Sequence, residues 1–137
     1  MTATRWRQVR APILTAAGIG AVSFALRLRD PHQHASWGLC PFKAITGWDC
    51  PGCGGLRAVN DLSHARLAEA WHSNALFLAL IPAAVVLWVL WLARSWTGSE
   101  RTFPPGLVRY AGIGLAVVTF AFSVWRNTPS GSAYFVS

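Results

Sequence analysis

Acidic residues are scarce in this chain, and charged residues of either sign are few. Five Asp and Glu stand against twelve Lys and Arg among 137 residues, and only 12% of the chain is charged, about half the fraction that is usual in a soluble domain. The basic residues flank uncharged apolar runs instead of forming a stripe, as in membrane proteins, where long cationic side chains reach the headgroups. Because no recognised binding motif accompanies the charge, we expect no nucleic-acid partner.

The chain also lacks the patterns that many enzyme classes require. It contains no Gly-rich phosphate loop, no paired carboxylates and no Ser/His/Asp arrangement, so we assign no catalytic residue. Strand-like alternation of apolar and polar residues is missing too, and with it the βαβ pattern that accompanies thioredoxin-like redox proteins. These absences favour a helical membrane protein without catalytic activity.

Three apolar runs predict transmembrane helices. They cover residues 11–28, 75–93 and 107–125, and each approaches the length that a helix needs to cross the hydrocarbon core at about 1.5 Å per residue. We interpret the first run as a retained helix and not as a cleaved signal peptide, because no small-x-small cleavage site follows it. The prediction is an all-α, multi-pass protein of the cell membrane, folded as one domain over residues 1–137.

The sequence says more about the ends of these spans than about their orientation. Six basic residues fall on each side of the membrane, so the positive-inside rule gives no preference. Ser73 or Asn74 is placed to cap the second span, and Pro82 within it is expected to bend the helix. The tail after Asn127 is rich in Ser, Gly, Thr and Pro and is predicted to be loose.

The connection between the first two spans, residues 29–74, carries every cysteine and every histidine of the chain. Within it, a Cys-Pro-x-Cys-Gly knuckle spaces Cys50 and Cys53 so that two thiolates can face one metal ion. Pro51 presets the backbone after the first thiol, and Gly54 permits a positive φ after the second. The knuckle therefore predicts half of a tetrahedral metal site.

The other half of such a site has no obvious source. A second C-x-x-C, which would complete a zinc ribbon, is missing, and Cys40 supplies only one more thiol. The fourth ligand would be a histidine, a carboxylate or water. Three thiols with one histidine would make a closed structural zinc site, and His64 is our candidate for that histidine. The histidines of the connection are His32, His34, His64 and His72.

Two other uses of the cysteines remain open. Cys50 and Cys53 could exchange disulfides as a membrane thiol-redox enzyme, with Cys40 as the resolving thiol. Because Cys53 precedes a helical run, we expect the helix N-terminus to lower its pKa, which would assist redox chemistry and metal binding alike. Alternatively, all three are small buried hydrophobic residues without a chemical role.

Residues 55–74 are predicted to form one amphipathic helix that leads into the second span. It lies in the headgroup region or, as an equal alternative, packs on the other helices. Arg57 and Asp61 lie four residues apart on its polar side and are expected to pair. The apolar side carries Leu56, Val59, Leu67, Ala70 and Trp71.

The segment CPFKAITGWDCPGCGGLRAVNDLSHARLAEAWHSNAL resembles the bacterial membrane proteins of domain-of-unknown-function family 2752. The shared pattern is a Cys-Pro, a Gly-x-x-Cys-Pro-x-Cys-Gly-x-x-Arg block and an amphipathic run that ends in Asn before an apolar span; an Arg-Asn pair closes the last span. Gly55 departs from the pattern, which has a larger or hydroxyl residue there. The resemblance implies a membrane architecture and no established activity. The matching positions are Cys40, Pro41, Gly47, Cys50, Pro51, Cys53, Gly54, Arg57, Ala70, Asn74, Arg126 and Asn127.

These features favour an accessory or interaction protein whose thiol knuckle binds a structural metal, with zinc as the candidate cofactor. Its expected partners are the lipid bilayer and either another membrane protein or a second copy of the chain. The interpretation depends on one geometric expectation, namely that Cys40, Cys50 and Cys53 converge in space next to lipid.

Overall fold

The computed structural model describes residues 3–33, 40–99 and 103–135, and over these ranges the chain is helical and contains no strand. The helices are α1 (Ala3–Leu28), α2 (Pro41–Thr46), α3 (Gly55–Ser63), α4 (Leu67–Thr97), α5 (Pro105–Arg126) and α6 (Pro129–Tyr134). α1, α4 and α5 are long and apolar enough to cross a membrane, and they contain the three predicted apolar runs. The predicted all-α fold with three transmembrane helices is confirmed.

The first two long helices run antiparallel, which sets the side of the membrane on which the connection lies. Near one end, Nδ2 of Asn60 in α3 donates to the carbonyl of Leu26 at 2.7 Å. Further along, the indole of Trp88 in α4 donates to the carbonyl of Pro12 in α1 at 3.1 Å. Since successive spans reverse direction, the end of α1, the start of the second span and the end of α5 lie on one side of the membrane.

Apolar side chains cover the outside of the long helices. Phe120 is 72% exposed and Val86 57% exposed, and both lie in the middle of a span. Contiguous apolar surfaces of this size are rare in soluble monomers, whereas lipid tails are as apolar as these side chains and cover them without loss. The chain is therefore a multi-pass membrane protein.

Polar side chains, in contrast, fill the interior where α1, α3 and α4 meet. Asp61 is almost completely buried, and its Oδ2 accepts a hydrogen bond from the hydroxyl of Ser73 at 2.9 Å. Its Oδ1 lies 2.8 Å from Nη2 of Arg66 and 3.5 Å from Nε2 of His32. The buried carboxylate is thus paired, as a charge in a low-dielectric interior must be.

The prediction of one continuous amphipathic helix over residues 55–74 is wrong. α3 ends, and the chain turns through Ala65 in the left-handed region with a φ of 59° before α4 begins. The N–H of Arg66 donates to the carbonyl of Asp61 at 2.9 Å and closes this turn. The expected pair of Arg57 and Asp61 is wrong for the same reason, because the turn brings Arg66 to the carboxylate instead.

The large apolar side chains of this segment face away from the protein: Leu56 is 45% exposed, Leu67 64% and Trp71 43%. The residues that face the other helices are small or polar. They are Ala58, Asn60 and Asp61 in α3 and Ala70 in α4. This is the arrangement expected of a helix that lies at the membrane boundary.

The break in α4 lies at Asn74 and not at Pro82. Asn74 has an extended backbone with φ −163° and ψ 95°, while the backbone through Pro82 keeps helical dihedral angles. Oδ1 of Asn74 accepts the N–H of Phe77 at 2.9 Å, so Asn74 is the N-cap of the span, one of the two predicted caps. Residues 75–97 then extend over roughly 35 Å, enough to cross the hydrocarbon core.

The tail is folded from Thr128 to Phe135, the part that the structure describes, so the prediction of a loose tail is wrong there. α6 begins at a Thr128 cap whose Oγ1 accepts the N–H of Gly131 at 3.2 Å. Beyond α6, Phe135 is 3% exposed, and its ring centroid lies 5.4 Å from that of Phe122 and 5.3 Å from that of Trp125. Aromatic burial thus outweighs the loop-forming composition of the tail.

Replacing Asp61 by Ala should destabilise the protein by about 3 kcal/mol, because Arg66 and Ser73 would lose a buried partner. Glu69→Ala is the matched control: Glu69 pairs with the same Arg66 at 3.0 Å but is 59% exposed, and pairs of this kind contribute under about 1 kcal/mol. Thermal unfolding in detergent, followed by far-UV circular dichroism, measures both variants. Equally small losses would contradict the role given to Asp61.

Candidate metal centre

The three cysteines of the chain meet beside the ends of the transmembrane helices. The Sγ atoms of Cys40 and Cys50 lie 3.5 Å apart, and those of Cys50 and Cys53 lie 2.8 Å apart. All three sulfurs fall within 4.8 Å of one another, and all three are half-buried free thiols. The predicted convergence is confirmed.

The knuckle itself is a tight turn that the local sequence specifies. The N–H of Cys53 donates to the carbonyl of Cys50 at 3.0 Å, and the N–H of Cys50 donates to Sγ of Cys53 at 3.2 Å. Gly54 follows in the left-handed region with a φ of 80° and forms the N-cap of α3. A glycine adopts this conformation without strain, so the chain turns from the second thiol directly into the helix.

The third thiol is carried back to the knuckle by α2. Cys40 is the residue before α2, and Gly47 ends the helix with a φ of 73°, its N–H donating to the carbonyl of Lys43 at 2.9 Å. Nζ of Lys43 also lies 2.9 Å from Oδ1 of Asp49. This short helix and its ion pair bring Cys40 next to Cys50, ten residues further along the chain.

Two asparagine side chains hold the backbone of the knuckle. Oδ1 of Asn127 accepts the N–H of Asp49 at 2.8 Å, and Nδ2 donates to the carbonyl of the same residue at 2.9 Å. Nδ2 of Asn74 donates to the carbonyls of Pro51 and Cys53 at 2.8 and 3.0 Å. Hydrogen bonds therefore hold the loop to the start of the second span and to the end of the third.

A buried arginine lies beneath the knuckle. Arg126 is 1% exposed, its Nη1 donates to the carbonyl of Ser73 at 3.4 Å, and the ring of Phe135 covers it at 5.2 Å. Gly54 packs against the same Ser73 carbonyl so closely that any Cβ would overlap it. Among the described residues, Nε and Nη2 of Arg126 have no hydrogen-bond partner.

The site thus collects ten of the twelve positions that carry the family resemblance. Arg57 and Ala70 are the exceptions. Ala70 is buried in the first turns of α4, and Arg57 is half-buried on α3 and forms no ion pair within the described ranges, although it interacts electrostatically with Arg126. Sequence reasoning missed Asp49 and Ser73, which act largely through backbone groups that side-chain identity does not reveal. The motif positions at the site are Cys40, Pro41, Gly47, Cys50, Pro51, Cys53, Gly54, Asn74, Arg126 and Asn127.

His64, the predicted fourth ligand, does not join the thiols. It follows α3, whose nine residues separate it from Cys53 by roughly 15 Å. Its Nδ1 lies 2.9 Å from the carbonyl of Asn60 and 3.2 Å from Oγ of Ser63. In the part of the chain that the structure describes, neither histidine nor carboxylate belongs to the group of three thiols; His34 lies outside the described residues.

The pKa values of Cys40 and Cys53 are shifted in opposite directions. Burial, together with hydrogen bonds to the other two thiols, raises the pKa of Cys53 to about 12. A hydrogen bond from the backbone N–H of Lys43 lowers the pKa of Cys40. The expectation that the helix N-terminus lowers the pKa of Cys53 is therefore wrong, because desolvation dominates there; the lowering occurs at Cys40 instead.

The spacing of the sulfurs fits one thiophilic ion. A tetrahedral zinc with Zn–S bonds of about 2.3 Å holds its sulfurs about 3.8 Å apart. The separation of Cys40 and Cys50 is close to that value, and the 2.8 Å between Cys50 and Cys53 would open by about 1 Å. Small side-chain rotations therefore suffice to bring all three sulfurs onto one metal ion.

The region around the thiols is also the part of the chain that matches a known protein family. Residues 40–88 match the model of a family described as "Protein of unknown function (DUF2752)", so the resemblance seen in the sequence is confirmed over about a third of the chain. The match begins at Cys40 and ends inside α4, while Arg126 and Asn127 lie beyond it. No curated protein and no solved structure matches this chain.

Replacing Gly54 by Ala should destabilise the protein by about 2 kcal/mol or more, because the methyl group would overlap the Ser73 carbonyl at a φ that L-residues rarely adopt. Gly55→Ala is the control, since a Cβ on Gly55 meets open space and alanine favours the helix by up to about 1 kcal/mol. Thermal unfolding in detergent compares the two. A Gly54→Ala protein as stable as Gly55→Ala would refute this packing.

The thiols of the metal-free, reduced protein should alkylate in a fixed order as the pH rises. Cys40 becomes a thiolate at a lower pH because its pKa is lowered, whereas Cys53, with a pKa of about 12, stays protonated through neutral pH. Iodoacetamide labelling over a pH series, read by peptide mass spectrometry, measures the order. Labelling of Cys53 before Cys40 would contradict it.

Proposed function

We propose that this chain is an accessory protein of the cell membrane in which Cys40, Cys50 and Cys53 bind one structural zinc ion. The observation that carries the proposal is the convergence of all three sulfurs within 4.8 Å, at the end of three helices that are able to span a membrane. Thiolates are the preferred ligands of structural zinc, and knuckles of the Cys-Pro-x-Cys-Gly type supply two of them from one turn.

The bound ion would act as a cross-link. Cys40 precedes α2, and the other two thiols precede α3, so one ion would join both helices at their starts. Zinc binds the deprotonated form, so each thiol that coordinates releases a proton. Because the ion would bind the folded loop and not the unfolded one, its binding free energy would stabilise this part of the protein.

An accessory role fits the exposure of the third span. Side chains of α5 are exposed along almost the whole helix before Ala121, and in a membrane such a surface is covered by lipid or by another helix. We propose the bilayer and another membrane protein, or a second copy of this chain, as the partners. The described residues around the thiols support holding an ion more than they support turnover, since only thiols belong to the group.

Protein purified in detergent under reducing conditions should contain about one zinc per chain, as the single group of three thiols implies. Replacing the three cysteines by Ser should abolish binding, whereas His64→Ala should retain it because His64 lies outside the group. Elemental analysis gives the stoichiometry, and cobalt substitution should produce thiolate-to-metal charge-transfer absorption. Reduced wild-type protein that binds neither zinc nor cobalt would refute the proposal.

Thiol–disulfide exchange is a second candidate, favoured by the 2.8 Å between the sulfurs of Cys50 and Cys53. In that reaction Cys50 and Cys53 form a disulfide bond, and the two protons and two electrons that they lose convert a disulfide substrate to two thiols. The high pKa of Cys53 opposes it, because the thiolate is the nucleophile. Reduction of one equivalent of a disulfide substrate by reduced, metal-free wild-type protein, lost in Cys50→Ser, would favour this function over zinc binding.

A further inference from the structure

We infer that Arg126 is the buried counter-charge of the metal–thiolate centre and determines how strongly the centre holds an ion of a given charge. The inference rests on the metal binding proposed above. It concerns a residue at the end of the third span, far in sequence from the thiols, and outside the region that matches the family model.

Arg126 is buried without an adequate partner. It is 1% exposed, and its one hydrogen bond, from Nη1 to the carbonyl of Ser73, is long at 3.4 Å. Nε and Nη2, which form one edge of the guanidinium, have no partner among the described residues. A buried charge is unfavourable unless it is paired, so this arrangement points to an anion that the free thiols do not supply.

The carboxylates of the described residues fill this role only in part. Asp49 exerts the strongest electrostatic attraction on Arg126, but its Oδ1 also lies 2.9 Å from Nζ of Lys43. Asp61 lies 2.8 Å from Nη2 of Arg66. Both acids already have a cation, so the thiols are the other groups near Arg126, among the described residues, that can carry negative charge.

Arg126 also lies close to the knuckle that carries Cys50 and Cys53. Nη2 of Arg126 lies against Gly54, the residue that follows Cys53: a Cβ built there would lie 3.4 Å from it. Cys50 and Cys53 are among the groups with which Arg126 interacts electrostatically. The neighbouring Asn127 holds the knuckle through the backbone of Asp49, so the end of α5 places the cation next to the backbone of the knuckle.

The net charge of the occupied centre depends on the charge of the ion that it holds. A divalent ion that replaces the three thiol protons leaves a centre with net charge −1, and a monovalent ion leaves −2. Coulomb energy is proportional to the product of the charges. The effect of Arg126 should therefore scale with the net charge of the centre, which the number of protons released on binding reports. A monovalent ion that displaces all three protons should gain twice as much from Arg126, on a logarithmic scale, as a divalent ion.

A purely structural role makes a different prediction. The ring of Phe135 over the guanidinium and the bond to Ser73 stabilise the fold whichever ion is bound. If Arg126 acted only through these contacts, its replacement would weaken both ions by the same factor. The ratio of the affinity loss for the monovalent ion to that for the divalent ion therefore distinguishes an electrostatic role from a structural one. The loss for one ion alone does not.

The test measures Cd²⁺ and Ag⁺ affinities of the reduced, detergent-purified full chain by competition with chelators. Arg126→Gln removes the charge and retains a donor for the Ser73 carbonyl; it should weaken Cd²⁺ binding about tenfold and Ag⁺ binding about a hundredfold. Arg109→Gln is the matched control, because Arg109 is an exposed cation on the same helix, roughly 25 Å away. It should leave both affinities unchanged.

Equal losses for the two ions in Arg126→Gln, when both ions displace three protons, or equal effects of Arg126→Gln and Arg109→Gln, would overturn the inference while leaving the metal site intact. Wild-type protein that binds neither ion would instead refute the metal site itself. If Arg126→Gln does not fold, Arg126→Met takes its place under the same two criteria, because it also removes the charge and leaves an apolar side chain beside Phe135.

Discussion

Irregular backbone next to lipid needs internal hydrogen-bond partners, because the hydrocarbon core offers none. In this protein the knuckle lies against the ends of two spans, and the side chains of Asn74 and Asn127 supply those partners. Each amide is placed where a helix ends or begins, the positions at which backbone groups are also left without intrahelical partners. Asn74 serves both needs at once, since its Oδ1 caps the second span while its Nδ2 holds the loop. The position of the thiols follows from this pairing.

The same constraint explains why the interior is polar and the exterior apolar. Ser73 is the residue through which the two buried charges meet: its hydroxyl donates to Asp61, and its carbonyl accepts from Arg126. Asp61 has Arg66 as a counter-ion within the chain, whereas Arg126 has only this carbonyl and the ring of Phe135. Among the described residues, the acid therefore has a charged partner and the base has none at ion-pair distance, and Nη2 of the base lies next to Gly54 of the knuckle.

The sequence was informative where the controlling interactions are local. Hydropathy over about 20 residues predicts the spans, and a Cys-Pro-x-Cys-Gly turn brings Cys50 and Cys53 together without help from the rest of the chain. It failed where the deciding contact is distant or unsignalled. Ala65 adopts a left-handed turn that no glycine or asparagine announces, and Asn127 pairs with Asp49, 78 residues away. The helix-dipole argument at Cys53 failed because burial, which depends on the tertiary structure, has the opposite sign.

The need for a cross-link can be argued from α2. This helix has six residues and none of them is buried, so neither its length nor its packing stabilises it. Two side chains connect this helix to the knuckle. One is Lys43, the more exposed partner of an ion pair with Asp49, and the other is the thiol of Cys40. Small elements without a core of their own are commonly fixed by a disulfide or a metal ion. An ion shared by Cys40 and the knuckle would give α2 the anchor that its sequence does not provide, and it would link α2 to the start of the second span and the end of the third, to which Asn74 and Asn127 hold the knuckle.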